Sequence, residues 1–190
     1  MTTYDFDTRS ALLESGKQQF LEHGFEGASL RTICANAGVT TGSFYSHFKQ
    51  KKDLFAAIIE DDLAASGTTF DELADRAVGH IGQDDDEAVA MDFIMDHRDL
   101  FKLLFDCSAG TPYEGFKTLL LSKIEASYQA FFDANVSETI DADLVRTIVQ
   151  MKFTQYCEMV YENYDREKAR YLTDRIGVFT AAGLKALLDA

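Results

Sequence analysis

Hydrophobic residues recur along the chain at intervals of three and four positions, and no stretch shows the alternation of a strand. This period predicts amphipathic α-helices. Helix starts are marked by Ser, Thr or Asp and several helix ends by Gly. The predicted helices cover about residues 8–23, 29–37, 40–48, 51–77 with an interruption at 66–69, 87–95, 100–105, 111–131, 141–164 and 166–188. The pattern therefore predicts an all-α fold.

Two of these helices are short and are joined by a tight turn. Ser29 and Thr40 offer N-caps, Gly38 supplies a left-handed turn residue, and Phe44 and Phe48 form an i, i+4 apolar pair. With the longer helix before them, they match the helix-turn-helix plan.

The clearest signal for the start of a helix lies at residues 111–114. Thr111, Pro112 and Glu114 occupy the cap, first and third positions of a capping box. This arrangement predicts that a helix begins at residue 111.

Charge is distributed unevenly. The 190-residue chain has a net charge of −14, which by itself argues against a nucleic-acid partner. Residues 1–60, however, contain six Lys and Arg against seven Asp and Glu, and the window 27–52 has four basic residues and no acidic one. The window favours an anionic partner, although chance or solubility patterning is the alternative.

Several function classes are disfavoured. Phosphate-loop, dinucleotide, nucleophile-elbow and zinc-protease motifs are absent, and the four histidines have no metal-ligand spacing (His23, His47, His80 and His97). We therefore predict no enzyme, no metal and no cofactor. Three scattered cysteines indicate reduced thiols in a cytoplasmic protein, and no apolar run predicts a membrane span.

Residues 20–54 closely resemble the DNA-binding domain of the TetR (tetracycline-repressor-like) family. The matching positions are Phe20, Gly24, Phe25, Ser29, Ile33, Ala37, Gly38, Val39, Gly42, Tyr45, Phe48, Lys51 and Leu54. Cys34 departs from the family, which usually has alanine there. The resemblance implies a DNA-binding domain over residues 1–50 and a helical ligand-binding and dimerisation domain over residues 51–190.

The second predicted short helix can present short polar side chains outward and phenylalanines inward. We expect Thr41, Ser43 and Ser46 to face the bases, with Gly42 allowing close approach. The expected backbone contacts are Ser29, Arg31, Thr40, Tyr45, His47 and Lys51. The resemblance implies phosphate contacts for Thr40, Tyr45, His47 and Lys51. Alternatives remain: Ser29 and Thr40 act as plain caps, Tyr45 as filler, and Arg31 and His47 as surface residues without contacts.

The second domain resembles the family in architecture only. Its last two helices imply a dimer interface, for which the candidate seam is Leu172, Ile176, Phe179, Gly183 and Leu187; intramolecular core is the alternative. Candidate pocket residues are His97, Phe101, Phe105, Cys107, Tyr113, Phe116, Glu125, Tyr128, Phe153 and Tyr156. If Glu125 or Glu158 were buried, the carboxylate would favour a cationic ligand or a hydrogen-bond donor.

These expectations combine into one function. We expect a homodimeric, sequence-specific repressor that binds a palindromic DNA operator and is released by an unidentified small-molecule effector. The alternative is a TetR-like regulator controlled by a partner protein or by thiol oxidation.

Overall fold

The computed structural model describes residues 3–78, 84–135, 140–162 and 164–188. Within these ranges the chain forms ten α-helices and no strand, which confirms the predicted all-α fold. The helices are α1 Thr3–Gly27, α2 Leu30–Asn36, α3 Thr41–His47, α4 Lys51–Ser66, α5 Phe70–Val78, α6 Asp84–Asp96, α7 Arg98–Asp106, α8 Phe116–Asn135, α9 Ala142–Tyr161 and α10 Arg166–Leu188.

Glycines mark three predicted breaks. Gly24 has φ 68° and ψ 169°, so α1 is kinked there and its last residues turn toward α2. Gly38 lies between α2 and α3 with φ 69°, and Gly67 ends α4 with φ 63°. These left-handed conformations suit glycine because it has no Cβ.

Packing divides the chain into two compact units. The first unit comprises residues 1–69 and 99–115, where α1 packs against α2, α3 and α4. The helix α7 contributes to this unit from Asp99 onward. Residues 51–69 therefore pack in the same unit as the helix-turn-helix. The predicted boundary between residues 50 and 51 concerns function, since it divides a DNA-binding domain from a ligand-binding domain, and it stays a prediction.

The second unit comprises residues 70–98 and 116–190. Its α8 packs against α5 and α9, and its α6 packs against α5, α9 and α10. Large aromatic side chains fill its core, among them Tyr128, Phe132 and Tyr156. On its surface Arg170 pairs with Asp92 at 2.6 Å, and Arg166 pairs with Asp92 and Asp96, which ties α6 to α10.

The predicted helix start at Thr111 is wrong. The Thr111 amide and hydroxyl both donate to the Ser108 carbonyl, at 3.0 and 2.7 Å, so the amide is not available to Glu114. The Glu114 carboxylate instead accepts from the Gly110 amide at 3.2 Å. Residues 111–115 form turns, and α8 begins at Phe116.

None of the helices in the described ranges is long and apolar enough to cross a membrane. His80 and most of the predicted turn at 135–139 lie outside the described residues.

Candidate nucleic-acid interface

The two short helices form the predicted helix-turn-helix. The Ser29 hydroxyl accepts from the Thr32 amide at 3.3 Å at the start of α2, and the Thr40 hydroxyl accepts from the Ser43 amide at 3.1 Å at the start of α3. Between them the Val39 amide donates to the Cys34 carbonyl at 2.9 Å. Both predicted caps are therefore present, and the turn is closed by backbone bonds.

The inward face of this motif is apolar. Ile33 of α2, Phe44 of α3 and Phe48 after α3 are buried, and the rings of Phe44 and Phe48 lie 5.6 Å apart. Ser15 of α1 donates a buried hydrogen bond of 2.9 Å to the Ile33 carbonyl, which fixes α2 against α1. The core thus sets which side of α3 faces solvent.

The outward face of α3 carries the predicted base contacts. Thr41, Gly42 and Ser46 are exposed, and Tyr45 is 59% exposed. The half-buried Ser43 shares a 3.1 Å hydrogen bond with the Thr40 hydroxyl. The Ser46 hydroxyl donates to the Gly42 carbonyl at 3.3 Å. Most of the predicted residues of α3 are therefore brought to one solvent-facing surface.

Gly42 is not required by the fold. Its φ is not left-handed, and an added Cβ would meet only the Thr40 hydroxyl at 3.5 Å, an ordinary van der Waals distance. The protein has room for alanine here, so the open backbone is available to whatever binds this face.

The predicted DNA contacts on either side of α3 differ in exposure. Ser29 and Arg31 at the start of α2 are exposed, as are Lys49 and Lys52. His47 at the end of α3 is half-buried, with its ring centroid 6.4 Å from that of Phe48.

Lys51 has partners within the protein. Its ammonium donates to the carbonyls of Ala28 at 2.8 Å and Glu26 at 3.3 Å, and lies 4.7 Å from the centre of the Phe25 ring. Desolvation lowers the pKa of Lys51, while the charge of Glu26 acts in the opposite direction. Within the protein the ammonium thus binds backbone carbonyls between α1 and α2. Its contact with a DNA phosphate stays a prediction.

The helix-turn-helix region is similar to a known protein family. Residues 12–58 match the model of the bacterial regulatory proteins of the tetR family. These residues are therefore similar to the corresponding region of TetR-family regulators. The match covers α2, α3, most of α1 and the first half of α4, and it includes the region that carries the resemblance in the sequence.

Curated relatives match over the same region. The HTH-type transcriptional repressor AcnR of Corynebacterium efficiens is 35% identical over 66 residues, which is 35% of either chain. The repressor BepR of Brucella suis is 45% identical over 53 residues, 28% of this chain and 25% of that one. The regulator UidR of Escherichia coli is 35% identical over 72 residues, 38% and 37% of the two chains. The matched region thus spans between a quarter and somewhat more than a third of the length of these relatives.

Solved structures extend the likeness to the whole chain at the level of fold. A transcriptional regulator from Aquifex aeolicus, titled TerR/AcrR family, has a TM-score of 0.55 at 16% identity and covers 95% of this chain and 99% of its own. GusR of Salmonella enterica has a TM-score of 0.53 at 21% identity, covering 96% of each chain. At these identities the likeness concerns the fold alone.

The predicted pocket residues are divided between the two units. Phe101, Phe105 and Cys107 are buried in the first unit, where Tyr113 is half-buried. The second unit contains the buried Phe116, Tyr128, Phe153 and Tyr156, the half-buried His97 and the exposed Glu125. The ligand pocket stays a prediction.

The two glutamates considered as ligand partners are not buried. Glu125 and Glu158 are both exposed, so water solvates their carboxylates and neither requires a buried partner. They give no reason to expect a cationic ligand.

None of the residues of the predicted dimer seam is among the buried residues of α10. The buried residues of this helix are Ala169, Thr173 and Leu184. Within the seam, Phe179 is 68% exposed, Gly183 is exposed, and the other three members are half-buried: Leu172, Ile176 and Leu187. The seam is therefore accessible in the protomer, and its pairing with a second copy stays a prediction.

Sequence reasoning missed one feature next to the helix-turn-helix. The Phe25 amide, directly after the kink at Gly24, donates to the Cys107 carbonyl at 2.8 Å. This bond joins segment 99–115 to the end of α1 within the first unit. No local pattern could have revealed it, because the two residues are 82 positions apart.

Proposed function

We propose that this chain is a TetR-family transcription regulator that binds specific DNA sequences, acts as a homodimeric repressor on a palindromic operator and is released by a small-molecule effector. The observation that supports it most is the solvent-facing surface of α3, held by the Thr40 cap and the buried Phe44. The relatives above are named as transcriptional regulators, which supports the prediction that the chain is not an enzyme.

DNA contacts divide into two classes in this proposal. Thr41, Ser43 and Ser46 approach base edges in the major groove, and Gly42 lets the helix come close. The phosphate contacts are those of the exposed or half-buried residues around them, Ser29, Arg31, Thr40, Tyr45, His47 and Lys51. Phosphate contacts set position, whereas base contacts set sequence preference.

Base discrimination should be modest. Between Val39 and Phe48 the chain has no Arg, Lys, Asn or Gln, so bidentate recognition of guanine or adenine is not available. Hydroxyl contacts, thymine methyl contacts, bridging water and DNA shape must supply the specificity. We expect no single operator position to contribute more than about 3 kcal/mol.

Dimerisation is supported by exposed apolar side chains on the last two helices. Val178 and Phe179 of α10 are 64% and 68% exposed, and Met151 of α9 is 58% exposed. Large apolar side chains that are exposed to this extent favour a contact with another protein surface. A two-fold dimer places two copies of α3 about 34 Å apart, one turn of the DNA.

Effector control follows from linkage. A ligand that prefers a different spacing of the two α3 helices weakens DNA binding, and DNA weakens ligand binding by the same factor. Thiol oxidation, the alternative, has little support from Cys34 and Cys107, because burial raises the pKa of both thiols and disfavours the reactive thiolate.

Selection of random duplex DNA by the purified protein tests the proposal. We expect an enriched palindrome for the unmodified chain. Thr41→Ala should change the preferred sequence, whereas the control Thr147→Ala, on the exposed surface of α9, should leave it unchanged. If the protein, freed of any bound ligand by unfolding and refolding, enriches no sequence, the proposal fails.

The salt dependence of binding is a second test. Each neutralised phosphate contributes about −0.9 to the slope of log K against log[salt]. A complex whose affinity does not respond to salt would contradict contacts between the basic residues of window 27–52 and phosphates.

A further inference from the structure

The two serines of α3 have hydroxyl groups that are already hydrogen-bonded within the protein. The Ser46 hydroxyl donates to the Gly42 carbonyl, four residues earlier on the same helix, at 3.3 Å. The Ser43 hydroxyl lies 3.1 Å from the Thr40 hydroxyl, and either oxygen can be the donor. A serine hydroxyl has one proton to donate and two lone pairs that accept. The internal bonds therefore determine what each serine has left for a base.

Ser46 is left with its lone pairs. Its side chain is exposed on the solvent-facing surface of α3, and its single proton is directed to the Gly42 carbonyl. A bond to the fourth preceding carbonyl is one of the states open to a serine within a helix. To donate to a base, the hydroxyl would first have to give up this bond, whereas it can accept a hydrogen bond without any internal loss. The geometry therefore favours Ser46 as an acceptor.

The Thr40 hydroxyl decides the direction of its bond with Ser43. Its oxygen accepts from the Ser43 amide at 3.1 Å, which is the cap of α3. Phosphate oxygens only accept hydrogen bonds, so in the proposed complex the proton of Thr40 is directed to the phosphate. The bond between the two hydroxyls is then donated by Ser43. It fills the second lone pair of Thr40 and leaves the Ser43 oxygen as an acceptor.

Bases offer hydrogen-bond donors in the major groove through their amino groups alone. These are N6 of adenine and N4 of cytosine, whereas guanine offers the acceptors N7 and O6, and thymine offers the acceptor O4. A side chain that can only accept therefore bonds directly to adenine or cytosine and not to guanine or thymine.

We propose that Ser43 and Ser46 recognise the exocyclic amino groups of adenine or cytosine as hydrogen-bond acceptors. Their protons are held within the protein, by Thr40 and by the Gly42 carbonyl respectively. The proposal rests on the proposed DNA-binding function and adds to it the chemical group that the two side chains select. Thr40 then links the two classes of DNA contact, because its bond to a phosphate sets the polarity of Ser43.

A double-mutant cycle on the duplex that the parent enriches tests this polarity. Selection with Ser43→Ala and with Ser46→Ala first identifies the base pair at which each variant loses its preference. The amino group of that pair is then removed, with purine in place of adenine or pyrimidin-2-one in place of cytosine. The parent should lose about fivefold more affinity than the alanine variant. The weaker base pairing of the analogue cancels, because both proteins bind the same duplex.

Two controls separate the polarity of the contact from its presence. Replacing N7 of the purine in the same pair by carbon removes an acceptor, and this change should affect the parent and the alanine variant equally. Thr147→Ala removes a hydroxyl that also donates to the carbonyl four residues earlier, at 2.8 Å, on the exposed surface of α9. This variant should respond to both analogues as the parent does.

Three results would overturn the proposal. In the first, removal of N7 costs the parent more than the alanine variant, which would make that serine a donor. In the second, removal of the amino group costs both proteins the same. In the third, neither serine variant changes the preference at any position. Failure of the proposed function is a different outcome, in which the parent itself enriches no duplex.

Discussion

The helix-turn-helix and the second unit are stabilised in different ways. Helices α2 and α3 have seven residues each, too few to be stable alone, and each begins at a hydroxyl cap. Helices α8, α9 and α10 have 20 to 23 residues, and buried side chains recur along the whole length of α8 and α9. In the first case a hydroxyl cap and a small buried core together fix an exposed surface; in the second, burial over many turns fixes the helices.

Removal of a buried ring should produce the largest effect in both regions. Phe44→Ala and Phe132→Ala each empty a site that is at most 1% exposed, so each should lower the free energy of unfolding by about 3–5 kcal/mol. Urea unfolding monitored by circular dichroism measures this. If the two units unfold independently, each variant should lower the midpoint of one transition only; equal shifts of both transitions would mean that the units unfold together.

The helix caps sharpen the comparison. Thr40 caps α3, and Asp141 caps α9 by accepting from the amides of Asp143 and Leu144 at 2.8 and 3.2 Å. Thr40→Ala and Asp141→Ala should each cost about 1 kcal/mol of stability. Only Thr40→Ala should also weaken operator binding, which a gel-shift titration measures. Equal losses of DNA affinity would show that the two regions do not differ in this respect.

The same difference explains which parts could be predicted from the sequence. The caps Ser29 and Thr40 and the glycine turn at Gly38 depend on residues a few positions apart, so local patterns identify them. The capping box at Thr111 has the same local form but fails. The Ser108 carbonyl and the Thr111 groups form a turn that competes with it.

Contacts between distant residues were not predictable. No local pattern indicates the hydrogen bonds from Lys51 to the carbonyls of Glu26 and Ala28, which lie 25 and 23 positions away. The periodicity of α8 and α9 likewise left open whether Glu125 and Glu158 face inward, and both face solvent. Effector and operator depend on molecules outside the chain, so the sequence identifies neither.

The ion pairs between α6 and α10 should contribute a smaller effect. The hydrogen bond from Arg170, and the charges of Arg170 and Arg166, lower the pKa of Asp92, although burial acts against them. A carboxyl group with a lowered folded pKa stabilises the fold above its unfolded pKa of about 3.9 and loses this contribution as the pH falls through the folded value.

Asp92→Asn should therefore cost no more than about 1 kcal/mol at pH 7, because the carboxylate is 29% exposed and water screens the pair. The difference from the parent should shrink below about pH 4 and in high salt, as thermal unfolding across pH and salt would measure. Asp143→Asn, whose partner Arg146 lies on the same exposed helix surface, is the control with a smaller expected effect. A pH-independent difference at Asp92 would contradict the ion-pair explanation.

Gly42→Ala should change stability least and yet affect DNA binding. The added Cβ meets only the Thr40 hydroxyl at 3.5 Å, and residue 42 lies in the first turn of α3, so stability should change by less than about 1 kcal/mol. If α3 enters the groove closely at this position, operator affinity should fall about tenfold, because the methyl group takes the space of a base or phosphate. Gly115→Ala, in the exposed turn before α8 with nothing within 4 Å of its Cβ, should leave the DNA affinity at the parental value. Parental affinity of Gly42→Ala would mean that α3 does not approach DNA through Gly42, and the docking face would have to be moved toward Tyr45 and Ser46.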